Sequence, residues 1–382
     1  MRVCHVLVVR VVVVTESFLP EVNGVTNSVL RVLEHLQGRG HQALVLAAGR
    51  GGPTAYAGAA VVRAVSVPVP RYRSLAIGLP SPRVEAAMRL FRPDVVHLAS
   101  PVALGAHGVA VARRLGVPAV AVYQTDVAAF LARYGLVVAQ PATWRWLQWI
   151  HRRAALTLAP STHAVQVLAR HGIGGVEVWR RGVDAARFHP RHRSPELRRR
   201  LAPGGEVLVG YVGRLATEKR VGLLAALHGL SGCRVVAAGD GPLRRRLERQ
   251  LPWVRFLGFL SGRELSELFA SLDVFVHTGA DETFCQAAQE ALASGVPVVA
   301  PAAGGPPDFV RHGDNGYLWP PGDPARLREA VAALVASPGT RAAMRRRARA
   351  SVADRSWEAI GDQLLGHYRS VLDGRPRGAA AA

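Results

Sequence analysis

The chain of 382 residues is nearly without lysine: Lys219 stands alone among 47 arginines. Cysteine is almost as scarce. Cys4, Cys233 and Cys285 are too few and too far apart for a disulfide framework or a metal site, and they read as buried thiols of a reducing compartment. No apolar run approaches the roughly 18 residues that a membrane span needs. The start, MRVCHVLVVRVVVV, is apolar but broken by Arg2 and Arg10, and the following ESFLPEVNG does not look like a cleavage site, so no signal peptide is read. There is no G-x4-G-K phosphate loop, which excludes P-loop hydrolases, and no G-x-S-x-G nucleophile elbow. No D-x-D occurs, so no catalytic metal is expected. Acidic residues are outnumbered, 27 against 48 basic ones, giving a formal charge of +21. Such a charge suits phosphate-rich partners. The arginines are scattered and no DNA or RNA motif accompanies them, so the expected anionic partner is a membrane surface rather than nucleic acid.

What is present is an alternation of short apolar, β-branched runs with helical patterns. Strands are expected at Val11–Val14, Ala43–Ala47, Val61–Val65, Val95–Leu98, Ala119–Tyr123, Leu156–Ala159 and Val176–Trp179, with helices such as Thr26–Gln37 and Ala103–Leu115 between them. After a Pro/Arg-rich stretch the pattern restarts at Val207–Val212, Arg234–Ala238, Val274–His277 and Val296–Ala300. Continuous rather than alternating apolar strands fit parallel sheets covered on both faces. The fold class expected is α/β, two doubly wound Rossmann-like domains facing across a cleft. The division expected is an N-terminal domain over 1–186, a linker over 187–205, a C-terminal domain over 206–354, a helix over 355–372 returning to the first domain, and a tail over 373–382.

Ligands of such sheets sit beyond the carboxyl ends of the strands. After Val207–Val212 come Gly213, Arg214 and Lys219. Glycine lets backbone approach a ligand, arginine offers a planar fork, and lysine a compact charge on a flexible stem. Together they suit a diphosphate, and a point charge that a fork cannot replace explains a lysine kept in an arginine-rich chain. The plainer alternative is a solvated Arg/Lys pair. After Arg234–Ala238 comes GDGP (239–242), a tight turn. After Val274–His277 come Glu282 and Glu290, eight apart. A helix starting near Thr283 places Glu282 just before its first turn and Glu290 two turns on, along the same side. The neighbours of Glu290 are mostly apolar, so it is expected to border a cleft. PAAGGPPD (301–308) adds a glycine pair at another strand end. In the first half, Asn23-Gly24 open a helix, and YQTD (123–126) leaves a strand with Gln124 and Asp126, the latter also readable as a helix cap.

GVT (24–26), APST (159–162), RGVD…F.P (181–190), GRL.TEK (213–219), GDGP (239–242) and E.F…..E (282–290) occur in this order over about residues 10–372. The chain thereby resembles glycosyltransferase family 4, with the GT-B fold. TESFLPEVNGVTNSVLRVLEHL, YQTDVA and DETFCQ are most similar to actinobacterial GDP-mannose-dependent α-mannosyltransferases acting on lipid acceptors. The resemblance implies that Arg214 and Lys219 hold the donor diphosphate. Glu290 then binds the ribose, Glu282 and the amides of Phe284, Cys285 and Gln286 meet the donor sugar, and Gly24 approaches the donor phosphate. It implies a retaining transfer without a cofactor, to a glycolipid or phosphoinositide-type acceptor, by a cytoplasmic protein peripheral to the inner membrane face. Many family members carry histidine where this chain has Gln124; glutamine can hold a hydroxyl but exchanges no proton near neutral pH. Asp126 is the secondary candidate for acceptor contact. A UDP-sugar donor is the alternative, since base recognition rests on the loop around Phe256–Leu260; a sugar-nucleotide-binding protein without turnover is a further one.

For docking, PVPRYRSLAIGLPSPR (68–83), with Arg71, Arg73 and Arg83, and the Trp144/Trp146/Trp149 cluster combine aromatic and apolar residues with arginine. This composition favours an anionic lipid interface. The alternative is that the tryptophans pack inside their own domain.

Overall fold

A computed structural model describes residues 8–69, 72–129 and 137–374. The chain forms two compact units, residues 1–180 with 357–382, and residues 181–356.

The first unit is built on an eight-stranded sheet in the order β10-β9-β8-β7-β1-β2-β4-β3. The strands are β1 (Arg10–Thr15), β2 (Gln42–Ala48), β3 (Ala55–Tyr56), β4 (Ala59–Ala64), β7 (Val95–Leu98), β8 (Ala119–Val122), β9 (Leu156–Ala159) and β10 (Val176–Val178). All pairs are parallel except β3 with β4. A separate antiparallel hairpin joins β5 (Ser66–Val69) and β6 (Tyr72–Gly78). Val11 to Val14 are fully buried; each such side chain contributes about 1.5–3 kcal/mol. This accounts for the unbroken apolar run at the start. Helix α1 (Gly24–Gly38) begins where Asn23 accepts from the amides of Val25 and Thr26. Helices α2 (Pro82–Phe91), α3 (Ala103–Arg114), α4 (Gln140–His151) and α5 (Thr162–Arg170) follow.

The second unit holds a six-stranded parallel sheet in the order β13-β12-β11-β14-β15-β16. Its strands are β11 (Val207–Val212), β12 (Cys233–Ala238), β13 (Arg255–Gly258), β14 (Val274–Val276), β15 (Val298–Pro301) and β16 (Gly316–Trp319). The order reverses between β11 and β14, so the loops leaving these two strands flank the crevice where doubly wound sheets take ligands. In the first unit the reversal lies between β1 and β7.

The stretch 187–205, expected as a linker, is folded into the second unit. It carries α6 (Pro195–Leu201), capped by Ser194. Arg193 and Arg198 reach the carboxylate of Asp273 at 3.0 and 2.6 Å. Pro and Arg there mark a helix start and a buried-carboxylate anchor rather than a spacer. The units part between Arg180 and Arg181 rather than at 186, because Gln286, Gln289 and Arg349 bind backbone carbonyls between Arg181 and Phe188. Five helices complete the second unit: α7 (Arg244–Gln250), α8 (Gly262–Ser271), α9 (Gln286–Ala293), α10 (Pro324–Ala336) and α11 (Pro338–Ala350). Helix α12 (Trp357–Leu372) packs in the first unit, where Trp179 donates to Ile360 O and Tyr368 meets His97 at 2.8 Å. Of the cysteines, Cys285 is buried, Cys233 only half-buried, and Cys4 lies outside the described residues.

Candidate active site

The loops leaving β11 and β14 meet. Lys219 ends a short 3-10 turn (Thr217–Lys219), and its Nζ donates to Glu282 Oε1. The same oxygen lies 3.2 Å from Nε2 of His277, the residue following β14. Thr278 Oγ1 donates to Lys219 O at 2.6 Å, tying the two loops through backbone as well. The Glu282 side chain is 15% exposed and that of Lys219 24%, so this is a sheltered ion pair. Burial pushes Glu282 up, but Lys219 and His277 outweigh it and hold the carboxyl below its usual range. Burial likewise opposes the charge on Lys219, and Glu282 more than restores it.

Two glycine motifs find their reason here. A Cβ on Gly239 would lie 1.9 Å from Gly213 O, and one on Gly241 2.4 Å from Leu215 O. The GDGP turn therefore lies directly against the loop that carries Arg214, and Leu215 N donates to Asp240 O at 2.9 Å. The pair Gly304-Gly305 does the same for Glu282. A Cβ on Gly305 would fall 2.3 Å from Phe284 O, and Gly305 N donates to Glu282 O at 2.9 Å.

Helix α9 starts at Gln286, not near Thr283. Cys285 adopts a left-handed conformation, φ 77°, and forces the chain to turn before the helix begins. Glu282 is thus on the loop, four residues ahead of the helix. The N-cap residue Cys285 makes no side-chain capping bond at the start of α9, where the Phe284–Gln286 segment enters the helix. Gly295, φ 69°, closes the helix, its N–H bonding to Leu292 O. Glu290 is half-buried, with Gln286, Arg187 and Asp184 around it. Burial raises its carboxyl to about 7, against the pull of Arg187 and Gln286. Arg214 is exposed beyond β11.

The first unit holds the remaining candidates. Gly24 is exposed at the first turn of α1, with nothing within 4 Å of where a Cβ would stand. Gln124 is buried and donates to Ala99 O at 3.0 Å. Asp126 accepts from Ala129 N at 2.8 Å, the capping geometry that its sequence position also allowed. Sequence reading missed Glu16, which follows β1. Its oxygens accept from Gly78 N at 2.7 Å and Leu104 N at 2.5 Å, joining hairpin to helix. It also missed His277, whose signal was a polar residue closing an apolar strand.

In the docking stretch, Val67 faces Ile77 across the hairpin, 51% and 37% exposed. Arg71 and the side chains of Tyr72, Arg73 and Leu75 lie outside the described residues. Trp146, 45% exposed, stacks on Trp149, which carries Arg153 over its ring; Trp144 stacks on His171. Among the described residues no helix is long and apolar enough to cross a membrane.

The profile described as Glycosyltransferase Family 4 matches residues 22–187, and that of Glycosyl transferases group 1 matches residues 193–351. The chain is 50% identical over 378 residues to a GDP-mannose-dependent alpha-mannosyltransferase of Mycobacterium tuberculosis (strain CDC 1551 / Oshkosh), covering 97% of this chain and 99% of that one. It is 47% identical to the protein of the same name from Corynebacterium glutamicum, over 95% and 89% of the two chains. Among solved structures, sucrose-phosphate synthase from Thermosynechococcus elongatus superposes with a TM-score of 0.79 at 20% identity, over 96% of this chain and 100% of that one. Anabaena HepE in complex with UDP gives 0.77 at 21%, over 94% and 100%. These two share its fold. The chain therefore belongs to glycosyltransferase family 4 and is a glycosyltransferase of the two-domain GT-B fold.

Proposed function

We propose that this glycosyltransferase moves mannose from GDP-mannose, with retention of the anomeric configuration, to a glycolipid or phosphoinositide-type acceptor at the inner membrane face. The observation that carries the donor side is the convergence of Lys219 and Glu282 beyond β11 and β14, just ahead of the start of α9. GDP-mannose as donor follows the names of the relatives half identical to the chain. The acceptor class follows a shorter likeness, 44% over 127 residues, to a phosphatidylinositol dimannoside mannosyltransferase of Mycobacterium tuberculosis (strain ATCC 25177 / H37Ra).

In this reading Arg214 and Lys219 hold the diphosphate and stabilise its charge as the glycosidic bond breaks. Glu282 and the amides of Phe284, Cys285 and Gln286 orient the mannose, Glu290 accepts from the ribose hydroxyls, and Gly24 leaves room for the donor phosphate. The acceptor hydroxyl attacks the anomeric carbon from the leaving-group face. Its proton passes to the departing phosphate oxygen, so no protein base is required. Gln124 and Asp126 are assigned to acceptor hydroxyls. The exposed Val67/Ile77 pair, with Arg71, Arg73 and Arg83 nearby in the sequence, supports docking of the first unit on anionic lipid.

The test incubates the protein with GDP-mannose or UDP-sugars and a lipid extract, with and without EDTA, and identifies the product. Mannolipid formed from GDP-mannose and unaffected by chelation is expected. Turnover with UDP-sugars alone would replace the donor assignment, and loss of activity restored by Mg²⁺ would overturn the metal-free one.

A further inference from the structure

His277 is 3% exposed at the carboxyl end of β14, its ring nearly parallel to Tyr211 at 6.4 Å. Both ring nitrogens are buried and neither makes a well-aligned hydrogen bond, with the side chains of Cys285 and Glu282 as their polar neighbours. Such groups are costly to leave unpaired, so an unmet donor beside a carboxylate calls for a reason. Nε2 lies 3.2 Å from Glu282 Oε1, within ion-pair reach but without hydrogen-bond alignment, and that oxygen is held by Lys219. Tyr211 lies alongside the ring, and Gly279 passes so close to Nε2 that a Cβ there would stand 3.1 Å from it.

If Lys219 turns to a donor diphosphate, as the proposed function has it, Glu282 loses its hydrogen-bonded partner in a sheltered site. We propose that His277 is a positioning residue that takes over Glu282 when Lys219 leaves it, so that Nε2 donates to the carboxylate and keeps it on the donor sugar during transfer. The exchange needs only a small rotation of the carboxylate, because both donors already address one oxygen. The groups facing the imidazole fit a donor role. Burial works against its charge, but the interactions with the Cys285 side chain and the Glu282 carboxylate outweigh that and raise it to about 10, so Nε2 can donate at neutral pH. Lys219 then has two stable states, paired with Glu282 in the empty site and with phosphate in the loaded one.

The test removes the lysine instead of adding a ligand. Histidine ring N–H signals are recorded by proton–nitrogen NMR for the full chain and for Lys219→Met, with the His277 signal assigned through His277→Phe. A strongly deshielded ring N–H should appear in Lys219→Met and vanish in Lys219→Met/Glu282→Gln. An unchanged His277 signal in folded Lys219→Met overturns the proposal. Should Lys219→Met fail to fold, turnover decides. His277→Phe keeps the stacked ring without a donor and should lower kcat about ten- to a hundredfold, with donor KM within about twofold, and His277→Gln should recover part of the loss. A His277→Phe enzyme with undiminished kcat, or a His277→Gln enzyme no faster than His277→Phe, overturns it as well. If the unaltered protein transfers no hexose while the NMR signal behaves as stated, the proposed function fails and the exchange stands.

Discussion

Lys219 and Glu282, 63 positions apart in sequence, are joined by a hydrogen bond from the ammonium to the carboxylate oxygen that also faces His277. The only lysine of the chain therefore sits where a compact donor has to fit between two loops. A guanidinium is broader and presents a fixed fork. Lys219→Arg should keep the charge and still lose about 2–4 kcal/mol of transition-state stabilisation, read as a fall in kcat/KM. Undiminished kcat/KM would mean that the lysine is an accident of composition.

Glu282 and Glu290 should separate kinetically. Contacts at the reacting sugar change during the reaction, whereas ribose contacts persist. Glu282→Ala should lower kcat about a hundredfold, and Glu290→Ala should mainly raise donor KM, roughly tenfold or more. Because burial raises Glu290 to about 7, it gains a proton as pH falls through that value and becomes a poorer acceptor. Donor KM should then rise on acidification, and Glu290→Gln should flatten that dependence. Identical kcat and KM effects of the two alanine variants would remove the division of roles.

Gly305 has no room for a methyl group, since a Cβ would stand 2.3 Å from Phe284 O and 2.4 Å from its Cα. Gly305→Ala should push the Glu282–Phe284 loop aside, destabilise the fold by about 1–3 kcal/mol and cut kcat about a hundredfold through misplaced contacts. Gly339→Ala is the control, for nothing lies within 4 Å of its Cβ position. Equal kcat for both variants would show that the glycine pair does not set the loop.

Glu16 makes stability depend on pH. Burial raises its carboxyl from 4.5 to about 7, against the pull of the Gly78 and Leu104 amides. The folded state thus holds a proton that the unfolded chain releases, and stability falls as pH rises from 4.5 to about 7. The shift corresponds to roughly 3 kcal/mol. Urea midpoints measured across that range should decline, and Glu16→Gln should lose the slope apart from a constant offset. A slope identical in the variant would assign it to other groups.

Replacing Val67 and Ile77 with Ser, together with Arg71, Arg73 and Arg83, should reduce sedimentation with anionic vesicles in low salt, each basic residue contributing about 1 kcal/mol. GDP-mannose binding, assigned mainly to residues of the second unit, should be unaffected. Unchanged vesicle binding would place any docking surface elsewhere.

The sheets were legible in the sequence because a buried parallel strand is a local signal. Val11–Val14 and Val207–Val212 are unbroken apolar runs, and their β-branched side chains suit no other element of that length. The residues proposed for the donor site stand out in the sequence for a related reason: a strand end exposes its loop, so Arg214, Lys219, Glu282 and Glu290 follow apolar runs at short distance. Tertiary structure decided what depends on backbone meeting backbone across long separations. α9 begins at Gln286 rather than Thr283 because Cys285 turns left-handed, just after Glu282 and Phe284 pack against Gly304-Gly305, some twenty residues away. The stretch 187–205 reads as a spacer until Asp273 draws Arg193 and Arg198 onto it. His277 reads as the last residue of a strand, and only the fold brings it to the oxygen that Lys219 holds. Hydrophobic periodicity records which residues are buried, whereas a shared carboxylate is a matter of distances that no local pattern encodes.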